Sequence, residues 1–282
     1  MDLLLDEHLL KTFENLLVSP PPLGRQKEQV IQEFMEVNTE LIPTPNLLNH
    51  HLHFEAVVSK FPLGTELTAD YLYITKSSDI WRITLVELEA PEKKIFNDDK
   101  KKTNTSAEFN AALNQVRSWQ IFIDDNRAEV LRRLEPLLRP LGMSRNPIEF
   151  RYQLVIGRSQ DKNLSAARKK HFRKLINESG VDILTYDTLI NWYRNNQRFK
   201  KNVLRLSGAQ FEFKHMHIEP TQILSYLGPD HLAVSSEQRE RLLKSGYEID
   251  KWQKGDLLTF NVKFAESTCE QALKEGKLFD LN

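Results

Sequence analysis

Apolar residues recur every three to four positions near the start of the chain and every second position farther in. The switch between these periods outlines the fold. Within 2–17, Leu4, Leu5, Leu9, Leu10, Phe13, Leu16 and Leu17 share one side of a helix that Pro20-Pro21-Pro22 ends. A second helix is predicted over 24–41, with Val30, Ile31, Phe34, Met35 and Leu41 on its apolar side and Pro43 and Pro45 beyond it. Three strands follow over 52–60, 70–76 and 80–89, with turns at Gly64 and at Lys76-Ser77-Ser78-Asp79. Such short connections favour antiparallel neighbours. The polar stretch 93–104 reads as a loop. Thr105 with Glu108 opens a helix carrying Phe109, Ala112, Leu113, Val116, Trp119 and Ile123. Asn126 with Glu129 caps a further helix, which Pro136 bends or shortens. A strand over 150–156, a basic helix over 163–178, a short strand over 181–184 and a helix with Leu189, Ile190 and Trp192 complete the strong pattern. Beyond 205 the signal weakens to strands over 204–213 and 257–264 and a helix over 237–243. This order predicts an α/β sandwich with a mixed central sheet. We divide the chain into a helix and proline linker (1–22), a core (23–205) and a C-terminal appendage (206–282).

Two carboxylates interrupt the third strand's apolar run. Alternation places Glu87 and Glu89 on the face of Ile83 and Leu85, about 7 Å apart. Acids on a buried face are costly unless compensated, and a bound cation is one compensation. Asp70, at the start of the preceding strand, adds a third acid. Asp on one strand and Glu-x-Glu on the next suit Mg²⁺, which takes oxygen ligands, keeps several waters and shares its shell with substrate phosphate. Asp70 and Glu87 are the candidate direct ligands, with the Leu88 carbonyl as a third. Glu89 would bind a second metal or hold the attacking water. The same acids also fit salt bridges or solvation at a sheet end.

The 282 residues hold one large domain or two small ones. Zero formal net charge counts mildly against tight non-specific nucleic-acid binding, but leaves room for an acidic site beside separate basic patches. The single cysteine, Cys269, rules out an internal disulfide framework and a Cys-based zinc cluster. No run approaches the roughly 18 apolar residues of a membrane span. The acidic start, Met1-Asp2-Leu3-Leu4-Leu5-Asp6-Glu7, is unlike a signal peptide. A soluble cytoplasmic protein with no membrane partner is expected.

Asp70, then Glu87-x-Glu89, then a helix with Gln115-x-x-x-Trp119 resembles the PD-(D/E)xK nuclease superfamily. More narrowly, the chain resembles the Shedu family of prokaryotic anti-phage nucleases. The segments that carry this likeness are 86–91 (Val-Glu-Leu-Glu-Ala-Pro), 111–119 (Ala-Ala-Leu-Asn-Gln-Val-Arg-Ser-Trp), 154–158 (Leu-Val-Ile-Gly-Arg) and 184–189 (Leu-Thr-Tyr-Asp-Thr-Leu). The resemblance implies a restriction-endonuclease-like α-β-β-β-α-β core and a homo-oligomeric DNA endonuclease. It would use Mg²⁺, or Mn²⁺, in phage defence. Asp70 and Glu87 match the metal-binding acids, and Gln115 matches a glutamine that orients them. Glu89 stands where that superfamily's lysine usually does, which brings Lys93 or Lys94 forward as replacement cations. The departure also keeps open a catalytically degenerate nuclease-fold protein that binds nucleic acid, regulates or assembles.

Basic residues supply candidate phosphate contacts. Arg168, Lys169, Lys170 and Arg173 lie in a dense run on one helix, and Arg158 follows the 150–156 strand. A second cluster comprises Arg194, Arg198, Lys200, Lys201 and Arg205. His50-His51-x-His53 and His215-x-His217 read as structural or surface histidines. Trp119 reads as a core aromatic. No Gly-rich phosphate loop is present, so an NTPase has no support.

Overall fold

Strand alternation in the middle of the chain builds one sheet that is covered on both faces. In the computed structural model, described for residues 3–98, 103–139, 141–195 and 198–258, the chain opens with helices α1 (Glu7–Val18) and α2 (Lys27–Val37). Strands β1 (Leu52–Pro62), β2 (Thr68–Lys76) and β3 (Trp81–Leu88) follow, then the long helix α3 (Ala107–Leu134) and strand β4 (Ile148–Val155). Next come α4 (Ser159–Asn163), α5 (Ala166–Ser179), β5 (Asp182–Leu184) and α6 (Tyr186–Arg194). The remainder comprises β6 (Asn202–Ser207), β7 (Gln210–His215), α7 (Ile223–Tyr226), β8 (Leu232–Ala233), α8 (Ser236–Lys244) and α9 (Ile249–Gln253).

Among the described residues the sheet has eight strands in the order β5-β4-β3-β2-β1-β6-β7-β8. The pairs β1–β2, β2–β3 and β6–β7 are antiparallel, whereas β3–β4, β4–β5, β1–β6 and β7–β8 are parallel. The sheet is therefore mixed, as the sequence pattern predicts. Ile83 and Leu85 of β3 pack with Phe109, Val116 and Trp119 of α3 on one face. Val86 and Leu88 pack with Leu10 and Phe13 of α1, Ile31 and Met35 of α2, and Leu189 and Ile190 of α6 on the other. Helices on both faces explain why β3 reads as a nearly unbroken apolar run. Trp119 is a core aromatic with no exposed surface.

Four details depart from the sequence reading. Ser106, not Thr105, caps α3, accepting from Phe109 N at 2.9 Å, while Glu108 accepts from Lys94 N at 3.2 Å. Asn126 does mark a break between two helical stretches, at φ −125° and ψ 28°, but its side chain donates back to Phe122 O at 3.0 Å instead of capping the second stretch. The strand expected over 204–213 is the hairpin β6–β7, turned at Gly208, and β6 joins the sheet beside β1. The first helix starts at Glu7, which leaves Leu4 and Leu5 before it and exposed, while Leu9, Leu10, Phe13 and Leu17 are buried within the chain. Of the strand expected over 257–264, residues 259–264 lie outside the described residues, as does Cys269.

His53 illustrates how the core sets acid stability. Its ring stacks on Phe54 at 3.8 Å and meets Trp81 edge-on at 5.1 Å. Burial, aided by the Lys76 charge, pushes its pKa down to about 3. The unfolded chain takes up this proton near pH 6.5 and the folded chain does not, so stability falls as pH drops through the window from 6.5 to 3. His53→Phe is expected to remove that loss. Between pH 7 and 5, wild type should lose about 2 kcal/mol more than the variant in urea unfolding. Parallel pH curves would contradict this assignment.

Candidate active site

Tyr71 pairs with Val86 across β2 and β3, so the next pair along the antiparallel register sets Asp70 opposite Glu87. Like charges directly opposed on a sheet are destabilising, and little water reaches these two. Asp70 is 9% exposed and Glu87 6%. Asp70 Oδ2 accepts from Leu88 N at 2.8 Å, and its Oδ1 pairs with Lys60 Nζ. Glu87 Oε1 accepts from Gln115 Nε2 at 2.5 Å. Glu87 Oε2 is buried with no partner. Burial and the neighbouring charges of Asp70 and Glu89 push the Glu87 carboxyl up to about 10.

Glu89 lies just past the end of β3. Its backbone is held from two sides: Glu89 N donates to Val155 O at 2.8 Å, and Tyr186 Oη donates to Glu89 O at 2.7 Å. Its carboxylate pairs with Lys93, which also reaches Glu28 Oε1 at 3.2 Å. Burial raises the Glu89 pKa against the opposing pull of Lys93. Burial works the other way on Lys93, but its bonds to Glu89 and Glu28 hold its pKa above the ordinary lysine value.

Asp70, Glu87, Glu89 and Gln115 all line one cleft of about 890 Å³, with Lys60, Lys93 and Glu28 around them. Glu28, on α2, has nothing in its spacing to set it apart from an ordinary solvated helix glutamate. Lys60 carried no sequence signal at all. Of the two lysines proposed to replace the missing one, Lys93 is in the cleft, whereas Lys94 pairs with Asp98 at 2.7 Å.

Among the described residues no three Asp, Glu, His or Cys side chains gather closely enough to form a ready-made metal centre. The donor set still fits a hard divalent cation. Mg²⁺ needs only one or two protein carboxylates when water and substrate phosphate complete its shell. The orphaned Glu87 Oε2 is a buried carboxyl oxygen without a hydrogen-bond partner, the kind of donor such a cation takes.

The basic residues divide. Lys169, Lys170 and Arg173 are exposed on α5, and Lys170 and Arg173 line a shallow groove there. Arg168 is buried instead, with its guanidinium on Asp161 and Asn97 O. Asp161 in turn accepts from Ile95 N at 2.7 Å and Phe96 N at 2.9 Å, which clasps the loop leaving the cleft. Arg158 makes a two-pronged ion pair with Asp187, the shortest contact being 2.8 Å, and lines a second groove. That groove shares Pro21 and Glu92 with the acidic cleft. The second basic cluster is engaged inside the chain. Arg194 pairs with Glu14, Lys200 with Glu40 and Arg205 with Glu212, Arg198 bonds Leu3 O and Tyr193 O, and Lys201 is buried on Thr39 O. His53 is a core residue, and His217 bonds Glu36 O at 2.6 Å, so neither histidine tract reaches the cleft.

Among the described residues no helix is long and apolar enough to cross a membrane. No curated protein matches the chain. One family model does, described as Shedu protein SduA, C-terminal, over residues 25–190, more than half of the chain. That span holds the opposed acids, Gln115 and both anchors of the Glu89 backbone, and the chain belongs to this Shedu family.

Proposed function

We propose that the chain is a divalent-metal-dependent DNA endonuclease of anti-phage defence, acting in the cytoplasm. Family membership suggests the defence role. The chemistry rests on one observation: Asp70 and Glu87 oppose each other in a cleft where one Glu87 oxygen is buried without a partner. The order α2-β1-β2-β3-α3-β4, with three antiparallel strands and a parallel fourth, supports a restriction-endonuclease-like core.

Asp70 and Glu87 would hold Mg²⁺ or Mn²⁺. When bound, such a cation acidifies water and offsets charge building on the phosphate. Gln115 fixes the Glu87 carboxylate through Oε1 and leaves Oε2 for ligation. Tyr186 and Val155 hold the backbone of Glu89, whose carboxylate would orient the attacking water. The adjoining groove with Arg158 and the exposed Lys169, Lys170 and Arg173 would bind the DNA backbone, so affinity would fall with salt. As in the wider family likeness, the active form would be a homo-oligomer.

The test is cleavage of linear and plasmid DNA by the full chain with Mg²⁺, Mn²⁺ or chelator. Cleavage with metal and none with chelator is expected, while intact DNA under every metal condition overturns the nuclease reading. The absence of a ready-made three-residue centre among the described residues favours a second reading, a DNA-binding relative without hydrolysis. It predicts binding without cleavage.

A further inference from the structure

Lys60 is the least expected residue in the cleft. Its backbone has φ +49°, a left-handed conformation that L side chains adopt rarely and that is uncommon in a strand. Ser59 pairs with Tyr71 and Phe61 with Ala69, so Lys60 stands opposite Asp70. Side-chain alternation breaks at both positions. Val58 and Phe61, three apart on β1, join the same core, as do Ala69 and Leu72 on β2. This double irregularity turns Lys60 and Asp70 into the cleft together. Unusual backbone geometry persists where the surroundings enforce it, and such places cluster at functional sites.

Three lysines line the cleft and differ in how their charge is used: Lys27 is buried with its ammonium on Leu16 O and Ser19 O. Lys93 lies between two carboxylates, Glu89 and Glu28. Lys60 has one partner, Asp70 Oδ1, and half of its side chain is exposed to the cleft. A cation on Asp70 would compete for that oxygen and release the ammonium.

We propose that Lys60 is the catalytic cation of this site: it leaves Asp70 when metal binds and contacts the scissile phosphate. It thereby supplies the positive charge that Glu89 cannot. This rests on the nuclease reading above. In the step it assists, a water oxygen bonds to phosphorus and the bond to the leaving sugar oxygen breaks. One water proton ends on that oxygen and the other on the new phosphate monoester or in solvent. The Lys60 ammonium offsets charge on the non-bridging oxygens.

The experiment compares wild type, Lys60→Gly and Lys60→Arg as full chains. Glycine accepts the left-handed backbone, so the charge is removed without a folding penalty at that bond. Two readouts are taken: Mn²⁺ affinity by calorimetry without DNA, and steady-state DNA cleavage. For Lys60→Gly, kcat should fall about a hundredfold with KM little changed, while Mn²⁺ binds about two- to fivefold tighter because its competitor is gone. Lys60→Arg should recover part of kcat. Weaker or equal Mn²⁺ binding by Lys60→Gly overturns the competition at Asp70. Tighter binding with unchanged kcat overturns the catalytic role and leaves a simple ion pair. Wild type that cuts nothing overturns the nuclease reading, and this assignment falls with it.

Discussion

Glu87→Gln is expected to abolish cleavage and to make the metal-free protein more stable. The carboxyl is pushed up to about 10 in the folded chain, against an ordinary value near 4.5. The unfolded chain therefore releases this proton first, and the folded chain's stability declines as pH rises from 4.5 toward 10. At pH 7.5 the cost is on the order of 2–4 kcal/mol. Glutamine is neutral at every pH and keeps an acceptor for Gln115, so it removes the cost and flattens the pH dependence. The melting temperature of the chelated variant should rise by roughly 4–10 °C at pH 7.5. Added Mg²⁺ should stabilise wild type and leave the variant unmoved. Cleavage should drop about a thousandfold, equivalent to about 4 kcal/mol in the barrier, because a metal ligand is lost. A variant that melts below wild type, or cuts as fast, would contradict the assignment of Glu87.

The second large effect is expected at a residue with no side chain. Gly157→Ala should destabilise the fold by about 3–5 kcal/mol. Gly157 has φ +63°, and a Cβ there would lie 2.4 Å from Lys93 O. The obstacle is backbone and cannot rotate away. The end of β4 and the segment carrying Lys93 would have to separate, and Lys93 holds Glu89 and Glu28. Cleavage should therefore fall with stability. Gly180→Ala is the control. Its φ is +65° but nothing lies within 4 Å of a Cβ, so only the cost of the left-handed backbone, about 1 kcal/mol, is expected. Chemical denaturation of the two variants separates the effects, and equal losses would refute the close-contact argument.

The residues differ in how far the sequence disclosed them, for physical reasons. Strand period alone aligns Glu87 with Ile83 and Leu85, and its buried position follows. Asp70 and Gln115 came into view through their order along the chain, and the cleft does bring them to Glu87. Lys60 was hidden because its contribution depends on a left-handed backbone that no periodicity encodes. Glu28 could face the site from the helix before the sheet, but nothing local set it apart from a solvated glutamate, because its partner Lys93 approaches from 65 positions away in sequence. Arg168 misled because a basic run reads as one solvated face, whereas helical geometry turned this one member inward onto Asp161. The hairpin β6–β7 was read as one strand because Gly208 interrupts an otherwise continuous apolar pattern by a single turn.

The pairing of β1 with β6 carries one more consequence. The span shared with the family ends at residue 190, but the sheet runs on through β6, β7 and β8. A fragment trimmed to the shared span would leave β1 as a raw border, with the peptide groups that now meet Asn202, Val203 and Leu204 bare. The strand so uncovered is the one that carries Lys60. The matched span by itself therefore lacks the pairing that covers this border of β1. The last three strands act as a hem, keeping the cleft's supporting strand from being stitched to a neighbouring molecule.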